Sequence, residues 1–155
     1  MTRRVLFVCL GNICRSPAAE NIFRRFVRDR SQDDTIQIDS CGTTNYHVGK
    51  NPDSRMRQAL RSFGYTDLGT ARQITPGDFA DFDLIVAMDR YNRDHLLALT
   101  NDQDALSKLC LFSDFLPKGE PIDIPDPYYG GSDGFLEVIT LLEAGCQTLL
   151  DRVMV

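Results

Sequence analysis

The stretch Val5-Leu6-Phe7-Val8-Cys9-Leu10-Gly11-Asn12-Ile13-Cys14-Arg15-Ser16-Pro17 decides how this chain folds. Its first four residues are a short, continuous apolar run, the pattern of a strand buried on both faces of a parallel sheet. Pro17 suits the first turn of a helix, where its missing N–H has no partner to lose. After it, Ala18, Ala19, Ile22, Phe23, Phe26 and Val27 recur at helical spacing. Residues 9–16 therefore join a strand end to a helix N-terminus. In such a turn the amides of Leu10, Gly11, Asn12, Ile13, Cys14 and Arg15 can face inward, and the helix dipole adds positive potential. A dianionic phosphate is then held without bulky side chains. Gly11 is expected to let the backbone fold tightly. Asn12 tolerates left-handed backbone, bonds locally, and is expected to brace the loop.

Five residues separate Cys9 from Arg15, so one tight loop can set the thiol beneath a bound oxyanion and the guanidinium beside it. Arg15 would clamp two oxygens in its planar fork. The same amides and cation favour negative charge on sulfur, the setting of a reactive thiolate. Ser16 is close enough to donate a hydrogen bond to that sulfur. A thiolate under a phosphate implies phosphoryl transfer through a cysteinyl-phosphate intermediate. An aryl oxide, whose conjugate acid has a pKa of about 10, leaves more readily when protonated, so a carboxyl group is needed on the far side of phosphorus. The candidate is Asp126 in Pro125-Asp126-Pro127-Tyr128-Tyr129-Gly130-Gly131. Prolines stiffen its backbone on both sides, and Tyr128 and Tyr129 can wall a pocket for an aromatic ring.

Strand and helix patterns alternate along the rest of the chain. Residues 36–39 form a second short strand, and Pro52-Asp53-Ser54 leads into a helix ending near Phe63-Gly64. Residues 84–88 make a third strand, residues 92–99 a helix, and residues 108–112 the fourth strand. Ser132 is expected to cap a long final helix reaching about Arg152. Residues 100–108 read as a polar loop. The alternation predicts an α/β fold: one domain spanning residues 1–155, a four-stranded parallel sheet flanked by helices in three layers, with the phosphate-binding loop after the first strand and ligands at the carboxyl ends of strands.

These motifs resemble the low-molecular-weight protein tyrosine phosphatases. The resemblance runs through residues 5–17, Asp39-Ser40, Ala71-Arg72-Gln73-Ile74-Thr75, Met88-Asp89 and residues 126–130. It implies Cys9 as nucleophile, Arg15 as phosphate and transition-state binder, and Asp126 as acid in the first step and base in the second. It also implies Asn12 and Ser40 as a loop-bracing pair, Ser16 as thiolate partner, and Tyr46, Tyr128 and Tyr129 along the substrate cleft. The implied partners are phosphotyrosine-containing proteins, with inorganic phosphate as product and inhibitor and no cofactor or metal. Many eukaryotic members carry a histidine shortly before the Ala-Arg-Gln segment. This chain has Leu68-Gly69-Thr70 there, so the network bracing the phosphate loop is expected to be built differently.

The chain has 155 residues and a net charge of −5, with 17 basic against 22 acidic residues, which argues against nucleic acid as an electrostatic partner. No stretch reads as a membrane span, and residues 5–10 are too short for a signal-peptide core. Five cysteines without regular spacing do not suggest a disulfide framework; they point to a reducing, cytoplasmic setting. Cys41, Cys110 and Cys146 read as core residues. Cys14 shares the loop with Cys9, and a sulfenic acid on Cys9 is expected to be trapped by it as a reversible disulfide. His47 and His95 lack metal-ligand spacing.

Three other readings carry weight. An arsenate reductase of the same fold needs a closely spaced, mobile pair of downstream cysteines, whereas Cys110 and Cys146 are far apart. A non-catalytic phosphate-binding module has no use for the nucleophile, Arg15, Ser16 and the acid together. Phosphoarginine hydrolysis is associated in related enzymes with threonine at the position of Ile13, whose apolar wall favours an aryl ring.

Overall fold

The computed structural model describes residues 2–155. Its first strand, β1 (Arg3–Cys9), lies inside the sheet, with Val5, Leu6, Phe7 and Val8 completely buried. Side chains alternate across a strand, so β1 serves two cores. Val5, Phe7 and Cys9 face one apolar cluster, and Leu6 and Val8 face the other. The remaining strands are β2 (Ile36–Gly42), β3 (Leu84–Ala87) and β4 (Leu109–Leu111). They form one parallel sheet in the order β2-β1-β3-β4.

Helices α1 (Arg15–Asp29), α2 (Ser54–Ser62) and α6 (Ser132–Met154) cover the first face. Phe7 meets Phe23 of α1 edge to face there, ring centres 5.6 Å apart. The other face is covered by α3 (Pro76–Asp81), α4 (Arg90–Leu97) and α5 (Gln103–Ser107), through Phe79, Leu96 and Ala105. The expected three-layer α/β/α architecture is observed. A 3-10 turn, Phe112–Phe115, follows β4.

Several boundaries differ from expectation. The expected loop over residues 100–108 contains α5, capped by Asp102, whose side chain accepts from the Asp104 amide. Ser132 is the first residue of α6, and Gly131 takes the cap position. Helix α1 begins at Arg15, two residues before Pro17, and α4 begins at Arg90 with Asp89 as its cap. The fourth strand ends at Leu111, because Phe112 already belongs to the turn. Helix α3 was not foreseen, although Thr75-Pro76-Gly77-Asp78 carries its signature: the Thr75 amide donates to the Asp78 carboxylate at 2.8 Å. No helix of the described residues is long and apolar enough to cross a membrane.

Candidate active site

The carboxyl ends of β1, β2 and β3 converge where β1 hands the chain to α1. Parallel registry sets Cys9 beside Gly42 and Val8 beside Ala87. The segment after β2 pins the loop from one side. The Thr43 amide donates to the Cys9 carbonyl at 2.9 Å, and the Thr44 amide and hydroxyl donate to the Leu10 carbonyl at 3.1 and 3.0 Å. The Asp53 amide closes the other side on the Ile13 carbonyl at 2.8 Å. The amides of Gly11, Ile13, Cys14 and Arg15 make no hydrogen bond among the described residues. They are the orphan donors of a loop that feeds a helix N-terminus, the arrangement that binds anions.

The Cys9 sulfur is buried and receives the Asn12 amide at 3.3 Å. It also lies 3.0 Å from the Ser16 hydroxyl. Asn12 narrows which way that hydroxyl points. Its Nδ2 donates to Ser16 Oγ at 2.7 Å and to Ser40 Oγ at 3.0 Å, while its Oδ1 accepts from the Arg72 amide at 3.0 Å. With an accepted proton on its oxygen, Ser16 is left to donate to Cys9 Sγ or to the more distant Cys41 carbonyl at 3.3 Å. Asn12 holds φ at 57°, the left-handed conformation that asparagine tolerates. The backbone reversal therefore sits at Asn12 and not at Gly11, which corrects the expectation for that glycine. A Cβ at Gly11 would stand 2.9 Å from His47 Cδ2, so the half-buried imidazole would have to move aside.

Where the histidine before the Ala-Arg-Gln segment is missing, Glu20 completes the network. Ser40 donates to Glu20 Oε1 at 2.6 Å, and Arg24 donates to Oε2 at 2.8 Å. Arg72 contributes through its backbone amide. Its guanidinium is turned away to Asp78, with two bonds of 3.0 Å, and to Asp39 at 3.1 Å.

Arg15 is only 3% exposed. Its Nη1 donates to Asp89 Oδ2 at 2.6 Å and to the Ile124 carbonyl at 2.9 Å, and Nη2 lies 3.6 Å from Asp126 Oδ2. Burial works against this charge, but Cys9 and Asp89 outweigh it and the guanidinium is held protonated more firmly than usual. With Nη1 committed, Nε and Nη2 form the edge that can fork two oxygens of an oxyanion.

Cys9, Leu10, Gly11, Ile13, Cys14, Arg15, Tyr46, His47, Asp126, Tyr128 and Tyr129 line one cleft of about 80 Å³. The structure thus gathers the sequence-predicted wall and loop residues around one opening, while Asn12, Ser16 and Ser40 lie buried behind it. Tyr46 and Tyr129 stand exposed at the rim and Tyr128 is half-buried. Tyr128 meets Tyr129 edge to face at 4.8 Å and His47 at 6.0 Å. Larger concavities occur around Arg4 and Phe82 and around Arg3 and Arg152; neither is lined by a cysteine. His47, Glu20 and the role of Asp89 were missed from sequence. Only Asp89 left a usable signal, an acidic residue immediately beyond a strand end.

Cys41 and Cys146 are fully buried and Cys110 is half-buried on β4. Burial pushes the Cys110 thiol up to about 12 and those of Cys41 and Cys146 well above the usual range. Such thiols are inert at neutral pH.

Comparison with known proteins agrees with this geometry. The family model described as low molecular weight phosphotyrosine protein phosphatase matches residues 4–154. The low molecular weight phosphotyrosine protein phosphatase of Sus scrofa is 41% identical over 154 residues, covering 99% of this chain and 97% of the relative. A crystal structure of a protein tyrosine phosphatase from Entamoeba histolytica, with Hepes in its active site, superposes with a TM-score of 0.95 at 39% identity, covering 99% and 97% of the two chains. A Drosophila arginine phosphatase superposes with a TM-score of 0.86 at 34% identity, covering 96% of each chain. With a phosphate loop after β1 and a family match over nearly its whole length, this chain belongs to the low molecular weight phosphotyrosine protein phosphatase family.

Proposed function

We propose that this chain is a protein tyrosine phosphatase that hydrolyses phosphotyrosine in proteins, and small aryl phosphates, through a cysteinyl-phosphate intermediate. The observation that carries the reading is one cleft holding a buried cysteine hydrogen-bonded by Ser16 and Asn12, a buried arginine and an aspartate 3.6 Å from that arginine.

In the first step the Cys9 thiolate attacks phosphorus. The S–P bond forms as the P–O bond to the aryl group breaks, and Asp126 gives its proton to the departing oxygen. The free loop amides and the Nε/Nη2 edge of Arg15 bind the three equatorial oxygens, on which charge is spread in the transition state. In the second step water attacks phosphorus, Asp126 takes its proton, the S–P bond breaks and inorganic phosphate leaves. Phosphate is therefore both product and competitive inhibitor. Ser16 and the Asn12 amide stabilise the departing thiolate. Tyr46, Tyr128 and Tyr129 receive the aryl ring. Cys14 is assigned as the partner that traps oxidised Cys9, and the five unbridged cysteines fit a cytoplasmic setting.

Hydrolysis of p-nitrophenyl phosphate in EDTA, by the native chain and by Cys9→Ser, tests the chemistry. Turnover only by the native chain supports it, and a fully reduced native chain without turnover would count against it. The likeness to an arginine phosphatase favours a second reading, phosphoarginine hydrolysis. Ile13, 9% exposed on the cleft wall, presents carbon where a hydroxyl would be needed to engage that substrate. Ile13→Thr is expected to raise the ratio of phosphoarginine to phosphotyrosine turnover. An unchanged ratio would remove Ile13 as the discriminator.

A further inference from the structure

Asp126 must meet the leaving oxygen at a set distance from Cys9, yet it sits on an irregular segment with no strand or helix of its own. Upstream, that segment is fixed. The Ile124 amide donates to the Met88 carbonyl at 3.0 Å, Arg15 holds the Ile124 carbonyl, and Arg90 grips Asp123 through Nε and Nη2. Downstream, among the described residues, one hydrogen bond ties residues 127–130 to another element: Arg55 Nη2 to the Tyr128 carbonyl, at 3.0 Å.

We infer that Arg55 is a positioning residue for Asp126: with Asp53 it straps the downstream limb of the acid-bearing segment to the phosphate loop. The inference rests on the role of Asp126 as the general acid. The connections form a closed circuit. The Asp53 amide is bound to the Ile13 carbonyl of the loop at 2.8 Å. The Asp53 carboxylate accepts from the Arg55 amide at 2.8 Å, from Nε at 3.1 Å and from Nη2 at 2.9 Å. The same Nη2 reaches the Tyr128 carbonyl, and the Tyr128 amide donates to Asp126 Oδ1 at 3.1 Å. Asp126 is therefore positioned through hydrogen bonds that begin on the loop it must serve.

The guanidinium is also stacked. It lies 4.7 Å from the ring centre of Phe135 and 5.5 Å from that of Tyr128. Phe135 is 1% exposed in the first turns of α6, so this support is rigid. A planar fork that satisfies a carboxylate, a carbonyl and two aromatic faces at once is a geometry that lysine cannot reproduce.

The strap predicts a selective defect. Phenyl phosphate has a basic leaving group that needs the proton from Asp126. p-Nitrophenyl phosphate has a stabilised phenolate that needs it less. The experiment measures kcat/KM for both substrates in the native chain, Arg55→Ala, Arg55→Lys and Asp126→Ala, with folding checked by circular dichroism. General acids contribute about 10²–10⁴-fold, so displacing one without removing it should cost Arg55→Ala about tenfold more on phenyl phosphate than on p-nitrophenyl phosphate. Arg55→Lys should fall between, and Asp126→Ala should show the largest gap. If Asp126→Ala discriminates but Arg55→Ala slows both substrates by one factor, or neither, the strap is wrong while the acid stands. If Asp126→Ala fails to discriminate, the role of Asp126 is wrong and the strap falls with it. Should Arg55→Ala not fold, Asp53→Asn with Arg55→Lys reads the same ratio.

Discussion

Arg15 Nη1 stands 2.6 Å from Asp89 Oδ2, and the other oxygen of that carboxylate accepts the Asn92 amide at 2.7 Å. One side chain thus holds Arg15, the proposed phosphate clamp, and caps α4. Asp89→Asn keeps the cap but leaves the nearly buried Arg15 without its closest charge partner. It should lower kcat/KM by about 10²-fold, as the clamp loses its orientation. Stability should fall by roughly 3 kcal/mol, the cost of removing one partner of a buried ion pair. Steady-state kinetics and urea unfolding measure the two effects; unchanged kcat/KM would mean that the Ile124 carbonyl orients Arg15 alone.

In the proposed mechanism Ser16 acts when sulfur leaves. A hydrogen bond to a charged group is worth about 1.5–3 kcal/mol, so Ser16→Ala should slow hydrolysis of the intermediate by roughly 10- to 100-fold. Rapid mixing with p-nitrophenyl phosphate should show a burst of nitrophenol near one equivalent, followed by slow turnover.

As the proposed trap for oxidised Cys9, Cys14 should be sluggish. Burial first, then the charges of Asp53, Cys9 and Asp126, push its thiol well above the ordinary range. Peroxide oxidises Cys9 to the sulfenic acid; Cys14 loses its proton, its thiolate attacks that sulfur and expels hydroxide, and the hydroxide takes up a proton, leaving a disulfide and water. Because the attacking thiolate is scarce at neutral pH, bridging should accelerate as pH rises. Mass spectrometry after brief peroxide at several pH values follows it, and over-oxidised, unbridged Cys9 at every pH would exclude the trap.

Acid should loosen the segment behind the loop. Burial of Asp78 opposes its ionisation, but the bonds from Arg72 and Thr75 prevail and hold its pKa below the ordinary aspartate value. The native state therefore binds this proton less readily than the unfolded chain. The stabilisation is fully present above the unfolded value of about 3.9 and is lost as pH falls through the lower folded value. Asp78→Asn should reduce urea stability at pH 7 and flatten its decline at low pH.

Gly145 sets a packing limit. A Cβ there would meet Phe112 Cε1 at 2.5 Å, so overpacking costs of about 1–3 kcal/mol should exceed the gain in helix propensity of about 1 kcal/mol. Gly145→Ala should lower the melting temperature even though alanine is the better helix former.

Read alone, the chain discloses the strand, the phosphate loop and the helix that follows, because Cys9, Arg15 and Ser16 are set by short-range spacing and the amides between them belong to consecutive residues. It also discloses the layered fold, since apolar runs and helical periodicity are local patterns. It did not reveal α5, five residues long, because so short a helix owes its stability to the burial of Ala105 rather than to propensity. Nor did it reveal Glu20 behind Ser40, His47 over Gly11, Asp89 on Arg15 or Arg55 beneath Tyr128. Asp89 lies 74 residues from Arg15 in the chain, and Tyr128 lies 73 from Arg55. Only the sheet order β2-β1-β3-β4 brings the end of β3 beside the end of β1, and only packing on α2 and α6 closes the acid-bearing segment over the loop. Which carboxylate meets which guanidinium is a matter of distance in space, and that distance exists only once the chain has folded.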